Sequence, residues 1–252
     1  MKTLRRILGV LCLGCLNISA ATPFTAPIVP ADPAGAGREL VAHLFSLRPA
    51  ESITNEAVLS VQVKKITQFE APMRITVCVS ETNWSTTYLA NPQNGANQSS
   101  LCITRSVDGA NQYQIRLDHG DSTKQMAPSG EELMQPFSGS DFWLADLGME
   151  FLRWPTQRLL KKEMCRNQSC DKLESIAPAG QTNGYVRVVA WFDIDTGGPV
   201  LVEAYDGKGE FVKEFKPNKF TKVNGQWQVE ELEMNNLRTG SRSYLHFKLG
   251  DK

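Results

Sequence analysis

Asp193-Ile194-Asp195-Thr196-Gly197-Gly198, placed after Trp191-Phe192, contains the Asp-Thr-Gly of an aspartic protease loop. That chemistry needs two carboxylates sharing one proton. The chain supplies no second such loop, and Gly198 stands where Ser or Ala is usual. The same Asp193-x-Asp195-x-Gly197 spacing begins a calcium loop, but the rest of a twelve-residue loop with its terminal Glu is missing. A turn joining two strands is the reading that fits. His43, His119 and His246 are scattered, with no partner at metal-ligand spacing. Asp118-His119-Gly120-Asp121 falls at a strand end, where turn residues gather. No G-x-S-x-G, H-E-x-x-H or phosphate-cradling glycine loop occurs. These residues predict no enzyme, no metal and no cofactor.

The cysteines carry a different chemistry. Cys12 and Cys15 lie in an N-terminal segment in which Lys2, Arg5 and Arg6 precede the apolar run Ile7 to Leu16 and the small residues Ser19, Ala20 and Ala21. That is the pattern of a secretory signal peptide over residues 1–20, too short in its apolar core for a membrane span. Cleavage is expected near Ala20 or Ala21. Lipid anchoring at Cys15 is the weaker expectation, because Cys12 stands where lipoprotein processing wants a Leu-like residue. Loss of the three cations leaves 24 basic and 27 acidic residues, a net charge of −3. The intact chain is formally neutral, so it has no basic excess to neutralise phosphates, and nucleic acid is not an expected partner. Export places Cys78, Cys102, Cys165 and Cys170 in an oxidising compartment. Cys165 and Cys170 flank a hairpin tip and are expected to form a disulfide; whether Cys78 and Cys102 pair stays open, because a strand over 84–90 would separate them.

The elements that must position these residues follow from hydrophobic period. Residues 21–37, rich in Pro, Ala and Gly, read as a tether, although Asp32 before Pro33 has the form of an N-cap. Leu40, Val41, Leu44 and Leu47 then recur at helical spacing. From Ala57 the period falls to two: Leu59, Val61 and Val63; Ile75, Val77 and Val79; Leu101 and Ile103; Ile115 and Leu117. Ser140 is expected to cap a short helix through Phe142, Trp143, Leu144 and Leu147 that stops at Gly148. Eight further strands follow over 158–249, with Glu210–Phe215 and Phe220–Val223 counted separately. Asn224-Gly225 is a strong hairpin signal. Short links make sequence neighbours sheet neighbours. Ten or more antiparallel strands in one sheet must curl, leaving a concave side for the helices. The fold class is therefore mainly β (α+β).

The C-terminal half carries a resemblance. Pro136-Phe137-Ser138-Gly139-Ser140-Asp141-Phe142 is similar to the GSDF signature of the LolA-like outer-membrane lipoprotein-sorting family. Trp191-Phe192-Asp193, Pro199, Glu203-Ala204-Tyr205-Asp206 and Gly209 resemble its W-[IF]-D…P…E-x-x-D-x-x-G stretch. Asn224-Gly225-x-Trp227, Glu233-Met234 and Thr239-Gly240-Ser241-Arg242 continue it to the end of the chain. The resemblance implies a strongly curved half-barrel over 38–252, its concave face covered by helices around an apolar cavity. It also implies a periplasmic carrier, not an enzyme, that moves lipid or acylated lipoprotein between an inner-membrane donor and an outer-membrane acceptor. The candidate cavity wall is Leu59, Val61, Val63, Ile75, Val77, Val79, Leu101, Ile103, Ile115 and Leu117, with Phe142, Trp143 and Leu147 as its lid. A regulatory or lipid-sensing protein of the same fold is the alternative. No residue can be assigned from sequence to the basic group with which such carriers hold their lid.

Overall fold

Asp32 caps the first helix as its type predicts: its Oδ1 accepts the Gly35 N–H at 2.9 Å, and Pro33 takes the first helical turn, where its missing N–H is not needed. The computed structural model describes residues 28–90, 97–107, 109–119, 122–223 and 226–249. Helix α1 (Pro33–Ser46) buries Gly37, Leu44 and Phe45. It takes in residues 33–37, and Ile28 exchanges backbone hydrogen bonds with Lys162, so the second half of the expected tether is ordered against the sheet. The expected signal segment and the Cys12 and Cys15 thiols lie outside the described residues.

The period-two stretches become β1 (Ile53–Val63), β2 (Ile66–Val79), β3 (Asn83–Ala90), β4 (Asn97–Ser106) and β5 (Gln112–His119), and β6 (Ser122–Met126) is added beside β5. After a long link come β7 (Thr156–Cys165), β8 (Gln168–Ile176), β9 (Arg187–Asp193), β10 (Pro199–Tyr205), β11 (Phe211–Val223), β12 (Gln226–Asn236) and β13 (Ser241–Phe247). All pairings are antiparallel, in the order β6-β5-β4-β3-β2-β1-β13-β12-β11-β10-β9-β8-β7. Two meanders are thus joined through β1 and β13, with Leu59 opposite Leu245. The result is one open sheet, mostly β, with few helices, whose edges β6 and β7 do not pair with each other.

Two details depart from the sequence reading. β11 is one strand, not two, and runs through Pro217; the register slips at Pro217/Lys219 and Lys219/Phe220, which absorbs a residue that has no N–H for the ladder. β6 carries no apolar alternation and was not expected at all. Asn224-Gly225 lies outside the described residues, but Val223 pairs with Gln226 across it.

The turns differ in cost. Lys64 and Lys65 join β1 to β2 with φ of 50° and 68°, and Arg166 and Asn167 join β7 to β8 with 48° and 65°. Left-handed backbone costs a residue with a β-carbon roughly 1 kcal/mol. Asn tolerates it best; Lys has no such compensation.

Candidate functional site

The link from β6 to β7 must pass from one edge of the sheet to the other, and it does so across the inner face. It contains 3-10 turns at Gly130–Leu133 and Glu150–Arg153 and the short helix α2 (Leu144–Gly148). Phe137, Phe142, Leu144, Leu147, Phe151 and Leu152 all fall in the same apolar core as Leu59, Ile75, Val77, Leu101, Ile103 and Ile115. Val79, Leu117 and Trp143 are half-buried against it, and Val61 and Val63 are half-buried towards the end of β1. The thirteen residues expected to line a cavity and its lid therefore lie mostly in one core. Phe142 and Leu147 are not a lid over an open mouth but part of a plug, at 1% and 2% exposure. Each such side chain contributes about 1.5–3 kcal/mol by leaving water.

The plug is also latched by polar groups on the inner face. Asp141 of the GSDF stretch accepts hydrogen bonds from Ser241 Oγ (2.7 Å), Ser243 Oγ (2.8 Å) and Asn236 Nδ2 (3.0 Å), and its own N–H donates to Ser243 Oγ. Asp141 thereby ties the plug to β12 and β13 at the centre of the sheet. Ser140 does not cap α2. Its Oγ donates to the Phe137 carbonyl and closes the turn before the helix, while Asp146 accepts the Trp143 N–H and makes Trp143 the cap position. Acidic Asp146 suits the first turn of a helix, where the free N–H groups point.

Asp146 is the centre of the second latch. It accepts Lys213 Nζ at 2.7 Å and Tyr185 OH at 2.6 Å. Lys213 Nζ sits 3.8 Å from the centre of the Trp143 ring, and Trp143 stacks on Tyr185 with centroids 5.6 Å apart and planes within 8°. Burial pushes the Lys213 ammonium below its usual range, against the pull of Asp146, and pushes the Tyr185 hydroxyl well up. A buried ion pair of this kind adds little net stability, but loss of one partner is costly. On the other meander, buried Arg105 of β4 donates to the Leu147 carbonyl at 2.9 Å and to Thr86 Oγ1 at 3.3 Å. Arg105 holds the C-terminal end of α2, where carbonyls lack helical partners. It is a buried cation engaged on the plug, at a position to which the sequence reading assigned no role.

The remaining candidates are structural. Asp193 Oδ1 accepts the Thr196 N–H and hydroxyl at 2.7 and 2.6 Å, so the Asp-Thr-Gly stretch is the β9–β10 turn. His246 is locally bonded, its Nδ1 2.8 Å from Glu231 and its Nε2 3.3 Å from Ser60 Oγ. The Cys165–Cys170 disulfide is not formed: both thiols are free. The turn holds only Arg166 and Asn167, so Cys165 faces Gln168 and Cys170 faces Glu163, and the two thiols meet on a diagonal. Their mutual hydrogen bond lowers the Cys165 pKa and raises that of Cys170. Cys78 and Cys102 are also free, with β3 between their strands. Among the described residues no three His, Cys, Asp or Glu side chains are placed to hold a metal ion, and no helix is long and apolar enough to cross a membrane. A shallow recess of about 370 Å³ lies at the end of β6 between Met126, Pro128, Met134 and the acidic Glu131 and Glu132.

Three solved structures share this architecture. A DUF1329 family protein from Desulfovibrio piger superposes with a TM-score of 0.69 at 18% identity, over 88% of this chain and 96% of that one. A protein described as an outer membrane lipoprotein-sorting protein domain from Vibrio parahaemolyticus gives 0.68 at 22%, over 87% and 95%. A LolA superfamily protein from Nitrosomonas europaea gives 0.56 at 17%, over 87% and 93%. No curated protein matches the chain. The fold is that of the LolA-like proteins. The chain itself belongs to the family whose model, described as that of an uncharacterized protein, matches residues 81–249. That match begins well before the motifs at residue 136, on strands whose pattern alone carried the sequence reading.

Proposed function

We propose that the protein is a non-enzymatic periplasmic carrier, exported by its N-terminal segment, that takes up acyl chains of a lipid or lipoprotein on the face its plug covers. The observation that carries this reading is the latch: buried Lys213, Tyr185 and Arg105, with half-buried Asp146, tie a five-residue helix to an apolar sheet. A permanent core gains little from buried ions, which are better suited to a switch between two arrangements. Charged groups lose less than apolar ones when a segment lifts into water, so these contacts are the ones a lifting plug breaks and remakes at least cost. An acyl chain is worth about 0.8 kcal/mol per buried methylene, enough over its length to replace the apolar contacts of the plug. The likeness in fold to a protein described as an outer membrane lipoprotein-sorting protein domain supports an acylated cargo, which in this reading passes from an inner-membrane donor to an outer-membrane acceptor.

Native mass spectrometry of the protein purified from a bacterial periplasm without detergent tests this. A co-purified lipid mass, lost on organic extraction and restored by a fluorescent fatty acid, is the expected result. A bare protein mass with no fatty-acid uptake would overturn it and favour a protein-binding regulator of the same fold.

A further inference from the structure

The β1–β2 turn departs from the residues that its backbone favours. Two-residue hairpin turns with both φ positive favour Asn-Gly, and Asn224-Gly225 stands between the paired Val223 and Gln226. Between Val63 and Ile66, paired in the same way, stand Lys64 and Lys65, both left-handed and both exposed. Among the described residues neither lysine has an ion-pair partner. Ile66, next in the chain, is 64% exposed. Unfavourable backbone held by exposed lysines that no ion pair within the described residues engages points to a use outside the molecule.

The register gathers similar residues at the same end of the sheet. Val63 faces Ser241, and Ser241 faces Asn236, so the β12–β13 turn lies beside Lys64 and Lys65. In that turn Leu237 is 43% exposed and Arg238 follows it. Ile66 and Leu237 thus project about 14 Å apart, three strand spacings. The β10–β11 turn ends there too, with Tyr205 opposite Phe211, and adds Lys208; its Asp206 is engaged by Arg238.

We propose that this end of the sheet docks onto a bilayer surface bearing anionic headgroups. Lys64, Lys65 and Lys208 face the headgroup phosphates while Ile66 and Leu237 enter the interface. Neither kind of group suffices alone; cations and apolar side chains together give reversible attachment. This docking does not depend on acyl carriage and is read with empty vesicles.

The test is vesicle flotation of the protein, its N-terminal mass checked so that no apolar leader does the binding. The K64N/K65G variant installs the favoured turn and removes both charges, so its melting temperature should hold or rise. Wild-type protein is expected to float with phosphatidylcholine–phosphatidylglycerol vesicles at low salt and to be released at high salt. The double variant should partition about 30-fold less, and Ile66→Ser should weaken binding without changing its salt dependence. Equal flotation of the double variant and wild type, or no flotation of wild type with anionic vesicles, would overturn the proposal. Either failure leaves the fatty-acid uptake experiment untouched.

Discussion

The two meanders grip the same plug by different means. From β1–β6 the plug receives apolar surface: Leu59, Met73, Ile75, Val77, Tyr88, Leu101 and Ile103 are all at most 4% exposed. The β7–β13 half meets it with a row of hydrogen-bonding groups as well. Besides the Asp141 and Asp146 latches, Gln157 of β7 donates to the carbonyls of Phe151 and Trp154, both at 2.9 Å. Apolar contact is strong but indifferent to position, whereas a hydrogen bond to a buried carboxylate fixes register. Both halves add polar contacts to apolar ones, the first chiefly through Arg105, and the second adds more of them at carboxylates and so does more to fix where the plug sits.

The sharpest way to break that contrast is Lys213→Ala. It leaves the half-buried Asp146 carboxylate with only Tyr185 and the Trp143 N–H, at an expected cost of about 3 kcal/mol in urea unfolding. The paired change Lys213→Met with Asp146→Leu should recover most of it. If the latch sets the position of the plug, the paired variant also takes up a fluorescent fatty acid differently from wild type at similar stability. Leu101→Ala, on the apolar side, should cost about 3 kcal/mol through the cavity it leaves. No partner substitution elsewhere should restore that loss. Rescue of the first and not the second separates a directional contact from a packing one.

Much of this arrangement is legible in the chain before folding. Alternation in Leu59–Val63, Ile75–Val79 and Leu101–Ile103 marks the inner face, and the order of strands follows from short links. The latches were less visible but not hidden. Arg105 stands two residues after Ile103, in phase with Leu101 and Ile103, and Lys213 stands two before Phe215. A cation in phase with an inward set is either an error of register or a buried polar contact, and here it is the contact. The dense apolar run from Phe137 to Trp154 signalled burial without saying against what, since that depends on the two edges β6 and β7 lying apart. Spacing alone does not place the two thiols of the β7–β8 hairpin: its two-residue turn sets Cys165 opposite Gln168 and Cys170 opposite Glu163, so they meet on a diagonal. β6, with Ser122 to Met126 nearly all exposed, left no apolar trace to read.

A third and smaller effect tests whether the first meander has a satisfied polar contact of its own beyond Arg105. Glu150, at the C-terminal side of α2, accepts Tyr113 OH at 2.7 Å and Asn111 Nδ2 at 2.9 Å. Burial nonetheless raises its pKa above the usual carboxylate value, outweighing these hydrogen bonds and the nearby Arg153 and Arg105 charges. Burial likewise drives the Tyr113 hydroxyl well up. A carboxyl raised on folding holds its proton more tightly in the native state. Its stabilising contribution is present below the unfolded value of about 4.3 and is lost as pH rises through the folded one. Near neutrality the ionised Glu150 is therefore a cost. Glu150→Gln keeps an oxygen to accept from Tyr113 and removes the charge, so it should raise the urea midpoint modestly near neutral pH. That advantage should vanish as the pH is lowered to about 4, where wild-type Glu150 is itself protonated. A variant less stable at both pH values would show that the carboxylate is as well satisfied as Asp146, and the two meanders would then differ in the number of their latches but not in their quality.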